Sequence, residues 1–448
     1  MNRRAFLQSS LLTGLAAASP CKGEPAEPPI RIGLVGCGRM GTFDLSIVAQ
    51  LVGTQITAVC DVDLKRARRA AQKVSDECDI GGRAPEAPQV FGSLEAFLKE
   101  GRTDAVIIAV PDFQHGYCAA ACALAGKDLY IEKPLAYTLE EGQTLVRLVR
   151  ERKLVVQVGS QQRSLRQFRQ AVNLVRAGRL GKLREIRIGL PVDKPGGRAE
   201  AMPVPAGFDY DRWLGPLQPV PYTEDRCHPR HGLGRPGWMR WEAADLGMIA
   251  NWGGHHIDIA QWAMDCGEPV RAEGKAEFLS GGLWNVHGAF ESVLTYANGI
   301  KVQVTSKFLN GILFSGEKGW LFVGRDNCRL KGGEGFGARK VLKALDASSP
   351  EILKPLAEGE AAFGPCEFSH QEEWLSAIRA RRDPIADIEA GNAANTACIL
   401  AWAALKSGQA VGWDPVARRI VGNARAEELT AYRPREPFSI RTLLGIKV

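Results

Sequence analysis

The sequence predicts an α/β protein in two parts: a doubly wound parallel sheet, then an α+β domain with an open, largely antiparallel sheet. Three observations predict it. The apolar run Ile32 to Val35 opens into Gly36-x-Gly38-x-x-Gly41, a helical pattern follows, and a second apolar strand, Ile56 to Cys60, closes on Asp61. Strand-helix alternation then continues to about residue 155, and from Leu183 onward strands with a two-residue apolar period take over. With 448 residues, 45% of them hydrophobic, the chain fills more than one core, since single cores stop growing near about 250–300 residues.

Residues 1–29 do not read as fold. Arg3-Arg4 precedes Phe6-Leu7 and an apolar stretch from Leu11 to Ala18. This resembles a twin-arginine export signal, which predicts a periplasmic or otherwise exported protein. The apolar stretch is shorter than the roughly 20 residues a membrane span needs, so no membrane span is expected. Pro20 directly before Cys21 argues against lipid attachment at that cysteine, and the Pro-rich piece from Glu24 to Pro29 reads as a linker.

Residues 30–155 form the dinucleotide-binding Rossmann domain. Gly36 permits a sharp turn, Gly38 lets the backbone approach a pyrophosphate, and Gly41 lets helix and strand pack closely. Arg39 and Met40 lie within that turn and face the cofactor, with helix N–H groups aimed at the phosphates. Asp61 follows the last glycine by about 20 residues, where a carboxylate accepts hydrogen bonds from the adenosine ribose and repels a 2′-phosphate. NAD is therefore expected in preference to NADP, although Lys65, Arg66, Arg68 and Arg69 stand close enough to screen a phosphate. Beyond Asp61, Leu64 to Cys78 and Leu94 to Lys99 read as helices, Ala105 to Val110 and Leu129 to Ile131 as buried strands, and Ala119 to Ala125 as part of a small-residue helix. Ligands gather at the carboxyl ends of such strands, which places Pro111 to His115 and Glu132-Lys133-Pro134 beside the nicotinamide.

Composition excludes some classes. The net charge of +7 is spread without a basic run interleaved with aromatics, so no nucleic-acid partner is expected. Eleven cysteines include Cys37, Cys60, Cys118, Cys122 and Cys398 in apolar runs, where they read as buried thiols. No CxxC pair or H-E-x-x-H appears, and no metal is expected.

The GxGxxG turn, AVPDFQH and Glu132-Lys133-Pro134 after a strand resemble the Gfo/Idh/MocA family. VVQVGSQQR ending at Arg163, Trp213-Leu214-Gly215-Pro216, DLGMIANWGGHHIDIAQW from Asp245 to Trp262, and the tail PIADIEAGNAANTACILAWAALKSGQAVGWDP resemble its exported bacterial branch. The match runs from about Ile30 to Asp414. The resemblance implies hydride transfer between nicotinamide and a hydroxyl of a sugar, glycoside or polyol, which needs a base for the hydroxyl proton and a cation or donor on the oxygen. It makes Lys133 the active-site lysine, with Glu132 and Pro134 shaping its turn. It maps the catalytic histidine onto His255, and onto Asn251 the position where the family carries an acid. Asn251, His255 and Asp258 would share one helix face, so His255 is expected as general base with Asp258 orienting it. Asn251 is a departure, because an amide does not do the work of a carboxylate. His256 reads as a core residue, a second substrate contact or, on weaker grounds, a metal ligand. Gln161 and Arg163 follow a strand and are expected at the nicotinamide or a sugar hydroxyl, and His115 at the cofactor edge.

Residues 156–385 are expected to form the substrate and oligomerisation domain, and 386–448 a C-terminal helix and tail that return to the core. Leu183 to Gly189, Ala272 to Leu279, Ala289 to Tyr296, Ile300 to Thr305 and Trp320 to Val323 read as strands. Between 192 and 242, Tyr210, Trp213, Tyr222, His228, His231, Trp238 and Trp241 offer either a carbohydrate wall or a packing surface. The family implies a homo-oligomer, a dimer or tetramer. Outside the cytoplasm free NAD is not expected, so a tightly bound, internally recycled cofactor reconciles the signal with the fingerprint. The leading expectation is an exported NAD-dependent oxidoreductase. A second is an NAD-dependent glycoside hydrolase working by transient oxidation, elimination, hydration and re-reduction. A third is an inactive sugar or NAD binder.

Overall fold

The computed structural model describes residues 27–80, 87–228, 235–330, 335–337 and 339–446. The twin-arginine segment, Cys21 and His231 lie outside the described residues.

The first sheet is wholly parallel. Its strands are β1 (Ile30–Val35), β2 (Thr54–Cys60), β3 (Gln89–Phe91), β4 (Ala105–Ile108), β5 (Asp128–Ile131) and β6 (Val156–Val158), in the order β3-β2-β1-β4-β5-β6. Every residue of β4, β5 and β6 is buried, as continuous apolar strands covered on both faces require. The order reverses direction between β1 and β4, where Val35 pairs with both Cys60 and Ile108. The cleft opens at that switch point, beyond the carboxyl ends of the strands. Because β6 completes this sheet, the parallel layer extends past residue 155.

The second sheet has nine strands: β7 (Leu183–Gly189), β8 (Arg271–Phe278), β9 (His287–Thr295), β10 (Lys301–Thr305), β11 (Gly311–Gly316), β12 (Gly319–Val323), β15 (Leu345–Ala347), β16 (Val411–Asp414) and β17 (Arg419–Val421). A small ribbon of β13 (Cys328–Arg329) and β14 (Val341–Leu342) stands apart. Pairing in the large sheet is antiparallel except between β7 and β10. Its inner face packs under the helices Arg166–Arg176, Gly253–Met264 and Ile388–Ser407 in the largest apolar core, while Arg271, Glu273, Lys275 and Glu277 alternate outward along β8. The five strands read from the sequence are all present, and β11, β15, β16 and β17 are added to them.

The two sheets are not joined by a simple linker. The helix His370–Ala380, begun by a capping box at Ser369 and Glu372, returns to the first domain. There Trp374, fully buried, packs in one cluster with Ile30, Ile32 and Tyr130, and Gln371 donates to Asp44 at 2.7 Å. Among the described residues no helix is long and apolar enough to cross a membrane.

Candidate functional site

A cavity of about 490 Å³ runs along the carboxyl edge of the parallel sheet, from the glycine turn to His255. At one end each glycine of the turn has a different reason to be there. Gly36 has φ +94, and a Cβ on it would meet Ala109 O at 2.5 Å; a Cβ on Gly41 would meet Gly36 O at 2.0 Å. A Cβ on Gly38 would meet nothing within 4 Å, because Gly38 borders the open cleft. The helix Arg39–Ala49 starts here with no side-chain cap, which leaves first-turn N–H groups for an anion. This cradle fits a dinucleotide pyrophosphate.

Asp61 lines the same end and braces the turn, accepting from Cys37 N–H at 2.7 Å and Asp63 N–H at 2.8 Å. Enclosure pushes its carboxyl up to about 6, and those two N–H donors pull it back. Arg39, Met40 and Arg66 also line the cleft, but Arg66 is turned to Asp63 at 3.4 Å. Replacing Asp61 by Ala is expected to weaken NAD binding by about tenfold to a hundredfold, the worth of one or two charge-assisted hydrogen bonds, and to narrow the preference for NAD over NADP. Calorimetric titration of both nucleotides checks this; an unchanged NAD-to-NADP ratio would count against the assignment.

At the other end, β5 runs directly into Glu132 and Lys133, and the Lys133–Pro134 peptide is cis. Lys133 is part-buried and lines the cleft. Among the described residues no acceptor takes a hydrogen bond from its ammonium. A carboxyl pair stands on each side of it. Glu132 contacts Asp44, and Asp112 contacts Asp245. Burial raises all four, Glu132 to about 7, against the opposing field of Lys133 at Glu132 and Asp112. Within each pair the contact raises one carboxyl, Asp44 or Asp245, and pulls its partner, Glu132 or Asp112, back against burial.

His255 and Asn251 both line this end and are buried. They stand on consecutive turns of the short helix Met248–Asn251 and the helix Gly253–Met264. The His255 imidazole is held well below its ordinary value, first by burial and then by the positive fields of Lys133, Arg325, His256 and His370. It is a neutral base at neutral pH.

Several expected roles are corrected. Asp258 does not orient His255. It takes a fork of hydrogen bonds from Arg163 at 2.7, 2.9 and 3.1 Å in a buried ion pair, and burial is what raises its carboxyl. Arg163 is thereby drawn away from substrate and cofactor; its other nitrogen donates to Ile385 O at 2.8 Å. His256 is fully buried between Gln162 and Asn310, at 3.2 and 3.0 Å, and burial holds it near 4. It is a core histidine, not a substrate contact. His115 lines the cleft but spends its ring nitrogens on Pro134 O at 2.6 Å and Val110 O at 2.9 Å, tying together the turns that follow β4 and β5. Gln161 likewise reaches the cleft while its amide nitrogen holds Asp44, Tyr130 and Glu132 at 3.1–3.2 Å. Pro111 lines the cleft as expected.

The structure adds Arg235, Trp252 and Arg325 to the cleft lining, which sequence reasoning missed, and gives Asp112, within the stretch expected beside the nicotinamide, a place there. Asp112 lay in plain view within AVPDFQH. Arg235 belongs to an irregular segment, paired to the buried Asp193, and Arg325 follows β12 and stacks over Trp252 at 4.7 Å; neither carries a local signal. The aromatic segment packs mostly on itself, Tyr210 stacked on Trp213 and both beside Phe208 and Tyr222. It also straps the nucleotide end. Leu64 N–H donates to Gly207 O at 3.1 Å and Asp209 N–H to Val62 O at 2.9 Å; Phe208, Trp213, His228, Trp238 and the tail's Phe438 line the cleft.

Residues 30–160 match a family model described as an oxidoreductase family, NAD-binding Rossmann fold, and residues 196–440 match its C-terminal alpha/beta domain. An inositol 2-dehydrogenase 2 of Saccharopolyspora erythraea is 31% identical over 220 residues, 47% of this chain and 60% of that protein. A glycosyl hydrolase family 109 protein of Streptomyces filamentosus is 29% identical over 234 residues, 49% of this chain and 44% of that protein. The chain thus spans about half the length of these curated relatives. The structure of scyllo-inositol dehydrogenase from Lactobacillus casei, with NAD(H) and scyllo-inositol bound, shares the fold at a TM-score of 0.56 and 16% identity, covering 86% of this chain and 99% of that one.

Proposed function

The chain belongs to the Gfo/Idh/MocA oxidoreductase family, and on that premise we propose that it transfers hydride between NAD and a hydroxyl-bearing carbon of a sugar, glycoside or polyol. One observation carries the reading: the glycine turn, Lys133 and His255 line a single continuous cleft. NAD, held by the glycine turn, the uncapped start of the helix Arg39–Ala49 and Asp61, would supply the hydride acceptor, or the donor in the reverse direction. The protein supplies the rest. The Lys133 ammonium, with no protein acceptor of its own, hydrogen-bonds the reacting oxygen and stabilises the negative charge that builds there. His255 offers a neutral nitrogen lone pair to the hydroxyl proton. Glu132 and Asp112 stand within the field of Lys133, whose charge pulls both carboxyls down against burial.

A second reading within the same chemistry is favoured by the strap over the nucleotide end. Phe208, Trp213 and Phe438 line the nucleotide end and would slow the exchange of an NAD held there, which suits a redox-neutral cycle. Oxidation of a ring carbon acidifies the neighbouring C–H, the glycosidic oxygen leaves by elimination, and water addition with re-reduction gives net hydrolysis. The resemblance of Arg3-Arg4 and its apolar stretch to a twin-arginine signal supports export of the folded, loaded protein. The intact pair of Lys133 and His255 in the cleft stands against an inactive binder.

The test is to purify the protein, denature it and quantify the released nucleotide. About one NAD per chain is expected, together with turnover of sugar alcohols or glycosides without added cofactor. An empty protein that binds NAD weakly and oxidises nothing would sink the proposal.

A further inference from the structure

Lys133 is not the only cation at the substrate end. Arg325, just past the end of β12, lines the cleft together with Lys133, Trp252 and His255, and among the described residues it forms no ion pair; Glu132 and Asp326 reach it through their fields alone. Arg235, the other guanidinium added to this wall, is already spent, because it shares the buried Asp193 with Arg240.

Arg325 is nevertheless not a loose surface side chain. Its guanidinium lies 4.7 Å over the Trp252 ring, and that ring stands edge-on to the His255 imidazole with centroids 6.3 Å apart. Its Nε is held from the core. The buried Gln162 amide lies between Arg325 and the two histidines, and one orientation satisfies it: the nitrogen donates to His255 O and His256 Nδ1, both at 3.2 Å, and the oxygen accepts from Arg325 Nε at 3.1 Å. The reverse orientation would set an amide N–H against a guanidinium N–H. His256 then carries its proton on Nε2 and donates it to Asn310 Oδ1 at 3.0 Å. One directed chain thus runs from Arg325 through Gln162 and His256 to Asn310, with every donor meeting an acceptor. It occupies Nε and leaves Nη1 and Nη2 without a protein acceptor. Two parallel N–H groups in one plane match the paired oxygens of a carboxylate or phosphate, and a fork already locked in place loses little freedom on binding them.

We propose that Arg325 binds an anionic group, a carboxylate or a phosphate, on the same sugar that presents its hydroxyl to Lys133 and His255, and that Gln162 is the positioning residue that aims the fork. The substrate class narrows accordingly from sugars in general to acidic sugars. Holding the anion at Arg325 also selects which hydroxyl reaches His255, since the ring is then fixed at two points.

This inference rests on the oxidoreductase reading for the place of the reacting hydroxyl, not for the binding of the anion. The test is calorimetric titration of the holoprotein with pairs that differ only at the acidic group: D-glucuronate and D-glucose, D-galacturonate and D-galactose, D-glucose 6-phosphate and D-glucose. At least one acidic member is expected to bind about tenfold or more tightly than its neutral partner, and which pair shows the preference tells carboxylate from phosphate. Arg325→Gln should cut that preference to within about threefold with NAD content unchanged, and Arg325→Lys, which keeps the charge without the fork, should restore only part of it. Gln162→Leu removes the acceptor of Nε and no charge, and should lower the preference by at least about threefold; where turnover is measured, the change falls on KM for the acidic member and not on kcat. Because the preference is a ratio, a general loss of folded protein does not move it. No acidic sugar bound more tightly than its partner, a preference that survives Arg325→Gln, or loss of NAD from that variant would overturn the inference. A wild-type protein that binds acidic sugars through Arg325 but oxidises no alcohol would instead overturn the oxidoreductase reading and leave this one standing.

Discussion

Replacing Lys133 by Met lowers turnover by at least about a thousandfold, on the order of 4 kcal/mol of transition-state stabilisation, while the protein still carries NAD. The side chain lies along the helix that bears His255, with Cδ near Gly254, and its ammonium is free to bond the reacting oxygen. Methionine keeps the apolar stem and removes only the charge. The loss should therefore fall on kcat and kcat/KM together rather than on nucleotide content, which depends on the other end of the cleft. The carboxyl groups Glu132 and Asp112 lose an opposing positive field, which raises them further and leaves the fold intact. Nucleotide content and kcat/KM measured on the same preparation check this. Turnover within tenfold of wild type would remove Lys133 from the mechanism.

The second large effect is at Gly38. A Cβ there meets nothing within 4 Å, so Gly38→Val costs the folded chain little, yet it projects into the path of the pyrophosphate. NAD affinity is expected to fall by at least about a hundredfold, roughly 2.7 kcal/mol, with the thermal midpoint of the nucleotide-free protein within a few degrees of wild type. Gly41→Ala is the contrast. Its Cβ would meet Gly36 O at 2.0 Å, so the turn itself must shift and both midpoint and NAD binding fall. Melting curves of the two variants with and without NAD separate a blocked cradle from a broken one.

The cradle was legible because every constraint in it is local. Gly36, Gly38, Gly41 and Asp61 answer to one turn and its two flanking strands, and local spacing carries that much information. The second sheet was legible where one face of a strand is wet. It was not legible at β11, because Leu313 and Phe314 are both buried; Leu313 is covered by Phe336 and Leu342 in a small cluster of its own, which erases the two-residue period. The site failed in the same way at its long-range contacts. Helical spacing put Asp258 on a face with His255, but no spacing rule says that Arg163 arrives from another element to claim that carboxylate. Asp112 and Asp245 were each visible in a quoted motif, and only the fold brings them together. The adjacent histidines separate by direction alone: His255 opens to the cleft, and His256 turns inward to Asn310.

The return of the helix His370–Ala380 to the first sheet bears on how the chain is made. Trp374 sits in the same cluster as Ile30 and Ile32, so the core begun by the first strand is closed by a segment that leaves the ribosome long after it. The nucleotide-binding half cannot mature as an independent unit during translation; it waits, with apolar surface uncovered, for most of the second half. For such a chain, folding is completed late and as a whole, and premature termination anywhere before residue 370 leaves an open first core in place of a working domain.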